Sequence, residues 1–324
     1  MSVVEVERRD GPGAVAWRLV RGLPPAFWGL IAVCLFAAWS QPQFLSVPFL
    51  MILLRQAAPL GIVALGQTFV VVNRSLDLSV GATIALVNLV VSDRMWLGAH
   101  WAAPIGTALL LGLAIGAING LLVTRLRASA VVVTLGTASI LTGLGLLFSG
   151  GAPGNAMADA IKWLGRGRIE GVPVSGFVWL TVAAVSIVVL RRLAVGRHIY
   201  SSGDNASAAL YSGVPNDRVL LASHTICGLF AALGGLVLSG LIGVGSLNLG
   251  ADYVLTSIAA TVLGGAVFGG GAGGALGTVL GTALLVMVLN LLTVFGVSEP
   301  GKLIVQGLVI AVAAAIYQQS ARGR

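Results

Sequence analysis

Charged residues are sparse along this chain and divide it into long apolar runs. Segments free of Asp, Glu, Lys and Arg cover residues 22–54, 56–73, 78–92, 95–124, 128–158, 171–190, 219–251, 253–298 and 303–321. A helix rises 1.5 Å per residue, so about 20 apolar residues cross a ~30 Å hydrocarbon layer. The run 253–298 is long enough for two crossings. Its middle reads Gly269-Gly270-Gly271-Ala272-Gly273-Gly274, a strong helix breaker. The pattern predicts an all-α bundle of about ten membrane spans, over 27–45, 50–72, 76–96, 101–122, 130–149, 174–190, 219–243, 253–269, 275–295 and 302–318. The third has the shortest charge-free stretch.

Composition agrees with this reading. Hydrophobic residues make up 57% of the 324 and charged residues 9%. Ordinary soluble domains hold about 25% charged residues. Mean hydropathy is +0.99. Too little charge is present to cover a water-exposed globule, which excludes a soluble enzyme, a disordered chain and a nucleic-acid-binding domain. The net charge of +8 is spread between the apolar runs and not gathered in one patch. With a cytoplasmic N-terminus, ten spans put 13 of the 19 Lys and Arg on the cytoplasmic side, as the positive-inside rule requires. Both termini are then cytoplasmic. The layout is a cytoplasmic segment 1–26, a bundle 27–318 with an outer loop 150–173 and a cytoplasmic loop 191–218, and a tail 319–324. The first apolar run is read as a retained helix, because Trp39-Ser40-Gln41-Pro42 offers no small-residue cleavage site. Spans two to five and seven to ten have similar lengths and opposite expected orientations, the spacing of an inverted repeat.

Glycine occurs 45 times. Gly112, Gly116 and Gly120 share an i+4 register, as do Gly265, Gly269, Gly273, Gly277 and Gly281. Lipid supplies no hydrophobic force between helices, so such stripes predict close backbone packing or a sliding surface. Cys34 and Cys227 lie in apolar runs and are read as small buried hydrophobes. No metal-ligand spacing is present. Gly296 to Leu303 nearly spells a phosphate-binding loop, but Leu303 stands where Ser or Thr must hold magnesium. Gly269, Gly271 and Gly274 fit G-x-G-x-x-G without the strand that gives the motif meaning. No cofactor is expected on this chain.

Residues 191–218 carry the clearest local signal. Asp204 or Asn205 can cap a short helix through a side-chain oxygen. Ala206 to Tyr211 propagate it, Gly213 suits a left-handed end and Pro215 blocks continuation. A helix this short is unstable alone in water and must dock, on its own bundle or on a partner. In the outer loop, Ala156 to Leu164 predict a short amphipathic helix.

The cytoplasmic segment Gly196-Arg197, Ile199-Tyr200, Gly203, Asn205, Ala208-Ala209, Ser212-Gly213-Val214 and Arg218 resembles the coupling loop of ribose-type ABC transporter permeases. Leu76-Asp77-Leu78-Ser79-Val80-Gly81, Val133-Thr134-Leu135-Gly136-Thr137 and Ala259-Ala260-Thr261-Val262-Leu263-Gly264-Gly265 resemble further stretches of that family in matching order. The resemblance covers about residues 45–318. One departure stands out: the family usually has two glycines just before the Asp motif, where this chain has Arg74 and Ser75. The resemblance implies the membrane subunit of a bacterial inner-membrane importer for a sugar or sugar-like neutral solute. It implies a second permease subunit, like or unlike, a periplasmic solute-binding protein and a cytoplasmic ATPase that holds ATP and magnesium. It places ATPase coupling on Gly203, Asp204, Asn205, Ala208, Ala209, Ser212 and Gly213.

Polar side chains inside spans are costly in lipid and belong on the bundle interior or a water-filled route. The pathway candidates are Gln67, Asn73, Asp77, Ser79, Asn88, Thr134, Thr137 and Asn290, with Thr68, Asn119, His224 and Gln306 beside them. Asp77 can alternatively cap the third helix, and His224 can serve hydrogen-bonded packing. The near-absence of charge inside spans suits a neutral polar solute. The other reading, a stand-alone secondary transporter or channel, calls for an acidic residue at membrane depth.

Overall fold

A computed structural model describes residues 24–322. Most of the segment 1–26, with Arg8, Arg9, Arg18 and Arg21 of the charge count, lies outside the described residues, as does Arg324. The architecture is all-helical: α1 (Pro25–Ser40), α2 (Val47–Val72), α3 (Val80–Val91), α4 (Ala102–Leu126), α5 (Ala130–Ser149), α6 (Asp159–Arg166), α7 (Val174–Arg192), α8 (Ala194–Asp204), α9 (Ala206–Tyr211), α10 (Asn216–Ile242), α11 (Tyr253–Leu263), α12 (Ala275–Val294) and α13 (Glu299–Arg322). A two-residue hairpin, Arg168–Ile169 against Val172–Pro173, follows α6. Its turn uses Glu170 and Gly171 at positive φ, the geometry that matches strand twist.

Among the described residues, six helices are long and apolar enough to cross a membrane: α2, α4, α5, α7, α10 and α12. Their outer surfaces leave Leu110, Ile140, Leu147 and Leu180 exposed, as a lipid-facing surface requires. α10 is the central post and packs on α4, α2, α3 and α6, while α2 joins it to α7, α11 and α12.

The glycine stripe of α4 forms the closest helix contact. A Cβ on Gly116 would strike the His224 carbonyl oxygen, and one on Gly228 would strike that of Gly112. The second predicted stripe is not one face. Gly277 and Gly281 press α12 on α11, but Gly265 and Gly273 have positive φ in the connecting turn.

Two expected spans are shorter than the hydropathy implies. In place of 76–96, α3 has 12 residues, about 18 Å, because residues 73–79 form an irregular buried loop. In place of 253–269, α11 ends at Leu263, where Gly265 takes a φ of 96°. Leu76 and Leu78 of the irregular loop pack on Ile258 and Val262 of α11, so the two short helices meet. The outer loop is docked rather than free: α6 buries Ile161, and Arg166 donates to the last carbonyls of α10, Leu241 O at 2.8 Å and Ile242 O at 2.5 Å. That closes an otherwise open helix C-terminus with a cation.

Candidate functional site

The loop between α2 and α3 is a dense polar knot. Asp77 is 1% exposed. Its Oδ1 accepts from the Ser79 amide at 2.9 Å and from the Ser79 hydroxyl at 2.6 Å. Asn119 of α4 donates to Ser79 Oγ at 2.8 Å and stands 3.4 Å from Asp77 Oδ2. His224 of α10 brings Nδ1 to 3.5 Å from the same oxygen and pairs through Nε2 with Ser75 Oγ at 2.9 Å. Gln67 donates to the Asp77 carbonyl at 2.6 Å, and Thr134 accepts from the Leu78 amide at 3.1 Å. Asn73 donates to Ser223 Oγ at 3.2 Å. Four helices thus hold one loop, and the carboxylate is retained inside the fold because each oxygen has partners. Asp77 closes the turn entering α3 through Ser79, one residue ahead of the helix. It is an acidic residue buried within the bundle, the kind of group that the stand-alone carrier reading calls for.

Gln67, Asn73, Asp77, Ser79 and Thr134 therefore converge, joined by Ser75, Asn119 and His224. Asn88 lies elsewhere: it donates to Ser239 Oγ at 3.0 Å and Val244 O at 3.1 Å and accepts from the Ser246 amide, fastening the loop after α10. Thr137 is buried on α5. None of these seven candidates lines the cleft between α2, α11, α12 and the start of α13.

Asn290 does. A cleft of about 470 Å³ opens between α2, α11, α12 and the start of α13. Gln56, Thr256, Asn290 and Gln306 offer neutral donors and acceptors, and Asp252, Glu299 and Lys302 offer charges. Gln306 donates to Thr256 Oγ1 at 2.7 Å, and Lys302 pairs with Glu299 at 2.9 Å. Leu60, Val286 and Leu289 form the apolar wall. The size and mixed lining suit a small polar molecule. Sequence reasoning missed Gln56, Asp252, Glu299 and Lys302, because charges at the ends of apolar runs read only as span boundaries.

The short helix expected in 191–218 forms as α9. Asn205, not Asp204, is its cap: Oδ1 accepts from the Ala208 amide at 3.0 Å. Gly213 has a φ of 83°, and the Val214 amide returns to Ala209 O at 2.9 Å to close the end. Asn216 ties the far side by donating to Ala206 O at 2.7 Å. Ala208, Ser212 and Gly213 are exposed, and Tyr211 and Leu210 are 92% and 61% exposed. Ala209 faces its own chain, 4% exposed, so within the expected docking set it supports the helix and does not present a surface. Gly203 is also inward: any Cβ there would strike Val72 O. The Tyr200 hydroxyl donates to Gly273 O at 2.8 Å, and burial raises its pKa while Arg191 partly opposes the rise. Below this layer the Gly271 amide donates to Val72 O at 2.8 Å and Arg74 Nε to Gly269 O at 2.7 Å. Arg74 takes a φ of 56°, a conformation that favours glycine.

A bundle of apolar helices with an open polar cleft, a buried polar loop and a capped polar helix outside the bundle defines a membrane transport component. Residues 49–314 match the family model described as branched-chain amino acid transport system / permease component. The chain belongs to this family of permeases. It is 32% identical over 302 residues to a ribose import permease of Escherichia coli K12, covering 92% of this chain and 93% of that one. It is 33% identical over 289 residues to a ribose import permease of Bacillus subtilis 168, covering 89% and 90%. It is 33% identical over 285 residues to an autoinducer 2 import permease of Klebsiella pneumoniae, covering 88% and 83%. No solved structure matches the chain.

Proposed function

We propose that this chain is the membrane subunit of an ATP-driven importer that carries a sugar or sugar-like neutral solute across the bacterial inner membrane. The observation that carries the reading is α9, a six-residue helix capped at both ends whose largest side chains, Leu210 and Tyr211, project away from the chain. A helix too short to stand alone, held rigid and left with bare aromatic surface, suits docking to a partner. That partner is a cytoplasmic ATPase, which binds ATP and magnesium. A second permease subunit and a periplasmic solute-binding protein complete the assembly. The ribose and autoinducer 2 import permeases support the solute class.

On this reading α1, α3, α11 and α13 join the six long helices as spans, and the N- and C-termini lie in the cytoplasm. Two halves then share a long, short, long, long pattern: 26, 12, 25 and 20 residues for α2–α5, and 27, 11, 20 and 24 for α10–α13. Paired short helices at matching positions are the mark of an inverted repeat around a solute route. The cleft with Asn290 opens outward, where a binding protein delivers solute. α6 and the hairpin beside it supply the docking rim.

The test is reconstitution of the permease with its ATPase and binding protein in liposomes. Uptake of D-ribose that requires ATP hydrolysis is expected. The buried Asp77–His224 pair favours one rival, a proton-coupled carrier. Uptake by the permease alone that collapses with the pH gradient and ignores ATP would establish the rival.

A further inference from the structure

Arginines at the ends of membrane helices usually act as separate charges in the interface. At the junction of α4 and α10 three of them converge. A cavity of about 370 Å³ there is lined by Arg125, Arg127 and Arg218, with Asp217 as its one acid and Leu121 and Leu221 as apolar walls. Three guanidinium groups against one carboxylate leave two positive charges in surplus. Among the described residues no hydrogen bond or ion pair engages those guanidinium groups. The start of α10 adds the positive end of its dipole to the same spot.

The backbones that carry these groups are held close together. Gly116 and Gly120 bring α4 onto the α10 backbone at His224 and Leu221, so the helices cannot splay. Arg127 ends α4 at a φ of 49°, turning the chain back beside α10. On the side away from the bundle, Leu110 (67% exposed), Ile118 and Leu121 (47% exposed) share one face of α4 with Arg125 and form an apolar strip running from the cavity.

We propose that this cavity binds the headgroup of an anionic phospholipid, with its phosphate on the guanidinium groups and its acyl chains along the strip of α4. Guanidinium recognises phosphate through paired, charge-assisted hydrogen bonds. Basic pockets between membrane helices are suited to such headgroups. A free phosphate has no use for the apolar strip, which is why the occupant is a lipid. Two surplus charges favour a lipid with two phosphodiesters, such as cardiolipin, over one with a single phosphate. The inference requires only that the chain be embedded in a membrane, not that it carry any particular solute. The site also lies beside the transport machinery: Asp217 and Arg218 directly follow Asn216, which anchors α9 through Ala206 O.

The experiment is native mass spectrometry of the delipidated full-length protein incubated with cardiolipin, phosphatidylglycerol or phosphatidylcholine. One cardiolipin per chain is expected to survive activation that strips phosphatidylcholine. Each of Arg125→Gln, Arg127→Gln and Arg218→Gln should weaken retention about fivefold, and the triple variant roughly a hundredfold. Asp217→Asn removes the one opposing charge and should tighten binding, a gain that misfolding cannot mimic. Arg191→Gln with Arg192→Gln, at the end of α7 and outside the cavity, should change nothing. Equal retention by the triple variant, or an equal loss in the α7 control, would overturn the proposal in favour of diffuse surface charge. Displacement of cardiolipin by millimolar inorganic phosphate would overturn it in favour of a free-anion site.

Discussion

Truncating Tyr211 to Ala separates assembly from folding. Tyr211 is 92% exposed, so within this chain the change removes almost no packing, and the cost to folding stays within about 0.5 kcal/mol. If α9 seats in a groove of the ATPase, the same side chain becomes buried. A tyrosine offers about 200 Å² of surface. Burying half of it at ~25 cal/mol per Å² contributes about 2.5 kcal/mol, the size of an interface hot spot and a roughly 70-fold change in affinity. Leu210→Ala should act in the same direction and less strongly. Ala209→Glu cannot make this distinction, because Ala209 is 4% exposed and the new carboxylate would be buried in the chain itself. The assay is co-purification of the tagged permease with its ATPase, read beside the thermal unfolding of the permease alone. Tyr211→Ala should keep the unfolding midpoint and lose the ATPase. Retained association with full ATP-dependent uptake would refute the docking argument, and a large fall in the midpoint would show that Tyr211 packs on its own chain.

Other expectations follow from single contacts. Asn205→Ala removes the α9 cap and should cost about 1 kcal/mol locally, seen as about fivefold faster amide exchange over residues 206–212, whereas Asn205→Asp should preserve protection. Gly228→Val forces two backbones apart and should prevent stable insertion or lower the unfolding midpoint sharply; a wild-type midpoint would contradict the close contact of α4 and α10. Arg74→Gly relieves a positive φ costing about 1–2 kcal/mol and loses the bond to Gly269 O, so its stability should stay near wild type, while Arg74→Val should lose about 2 kcal/mol or more. The raised pKa of Tyr200 means that the folded state prefers the neutral phenol. Its contribution is complete below the ordinary value of 10.0 and is lost as pH rises above it, so Tyr200→Phe should be less stable at neutral pH and less sensitive to alkali.

Sequence legibility followed how local each determinant is. Residues 130–149 were predicted as a helix and form α5 over Ala130–Ser149. The limits Ala206 and Tyr211 also coincide, because Asn205 and Gly213 act within a few residues. The third span, expected over 76–96, is a 12-residue helix preceded by an irregular loop, since His224 and Asn119, distant in sequence, hold Asp77 inside the fold. The burial of Ala209 was hidden because six residues give too few turns to separate an inner face from an outer one. The cleft was hidden for a related reason. Asp252, Glu299 and Lys302 flank apolar runs, and only the fold brings them to Asn290.

Three helices, α2, α11 and α12, link the cytoplasmic loop to the cleft. The Gly271 amide binds Val72 O, Gly203 lies on both, and Tyr200 holds Gly273, so α8 is fastened to the end of α2 and to the turn joining α11 with α12. The same three helices wall the cleft at their other ends, through Gln56 and Leu60, through Asp252 and Thr256, and through Asn290 and Thr293. From Val72 back to Gln56 is about 24 Å of helix. A packed interior does not absorb displacement, so a push on α9 that moves α8 must move these helix ends together. Only α2 among them has an internal proline, Pro59, which lies between Gln56 and Leu60 at the cleft. A missing backbone hydrogen bond at that point gives α2 a place to bend. On the proposed reading, displacement delivered at α9 is carried by three stiff rods and released as bending beside the cleft, which places the moving part where the solute passes.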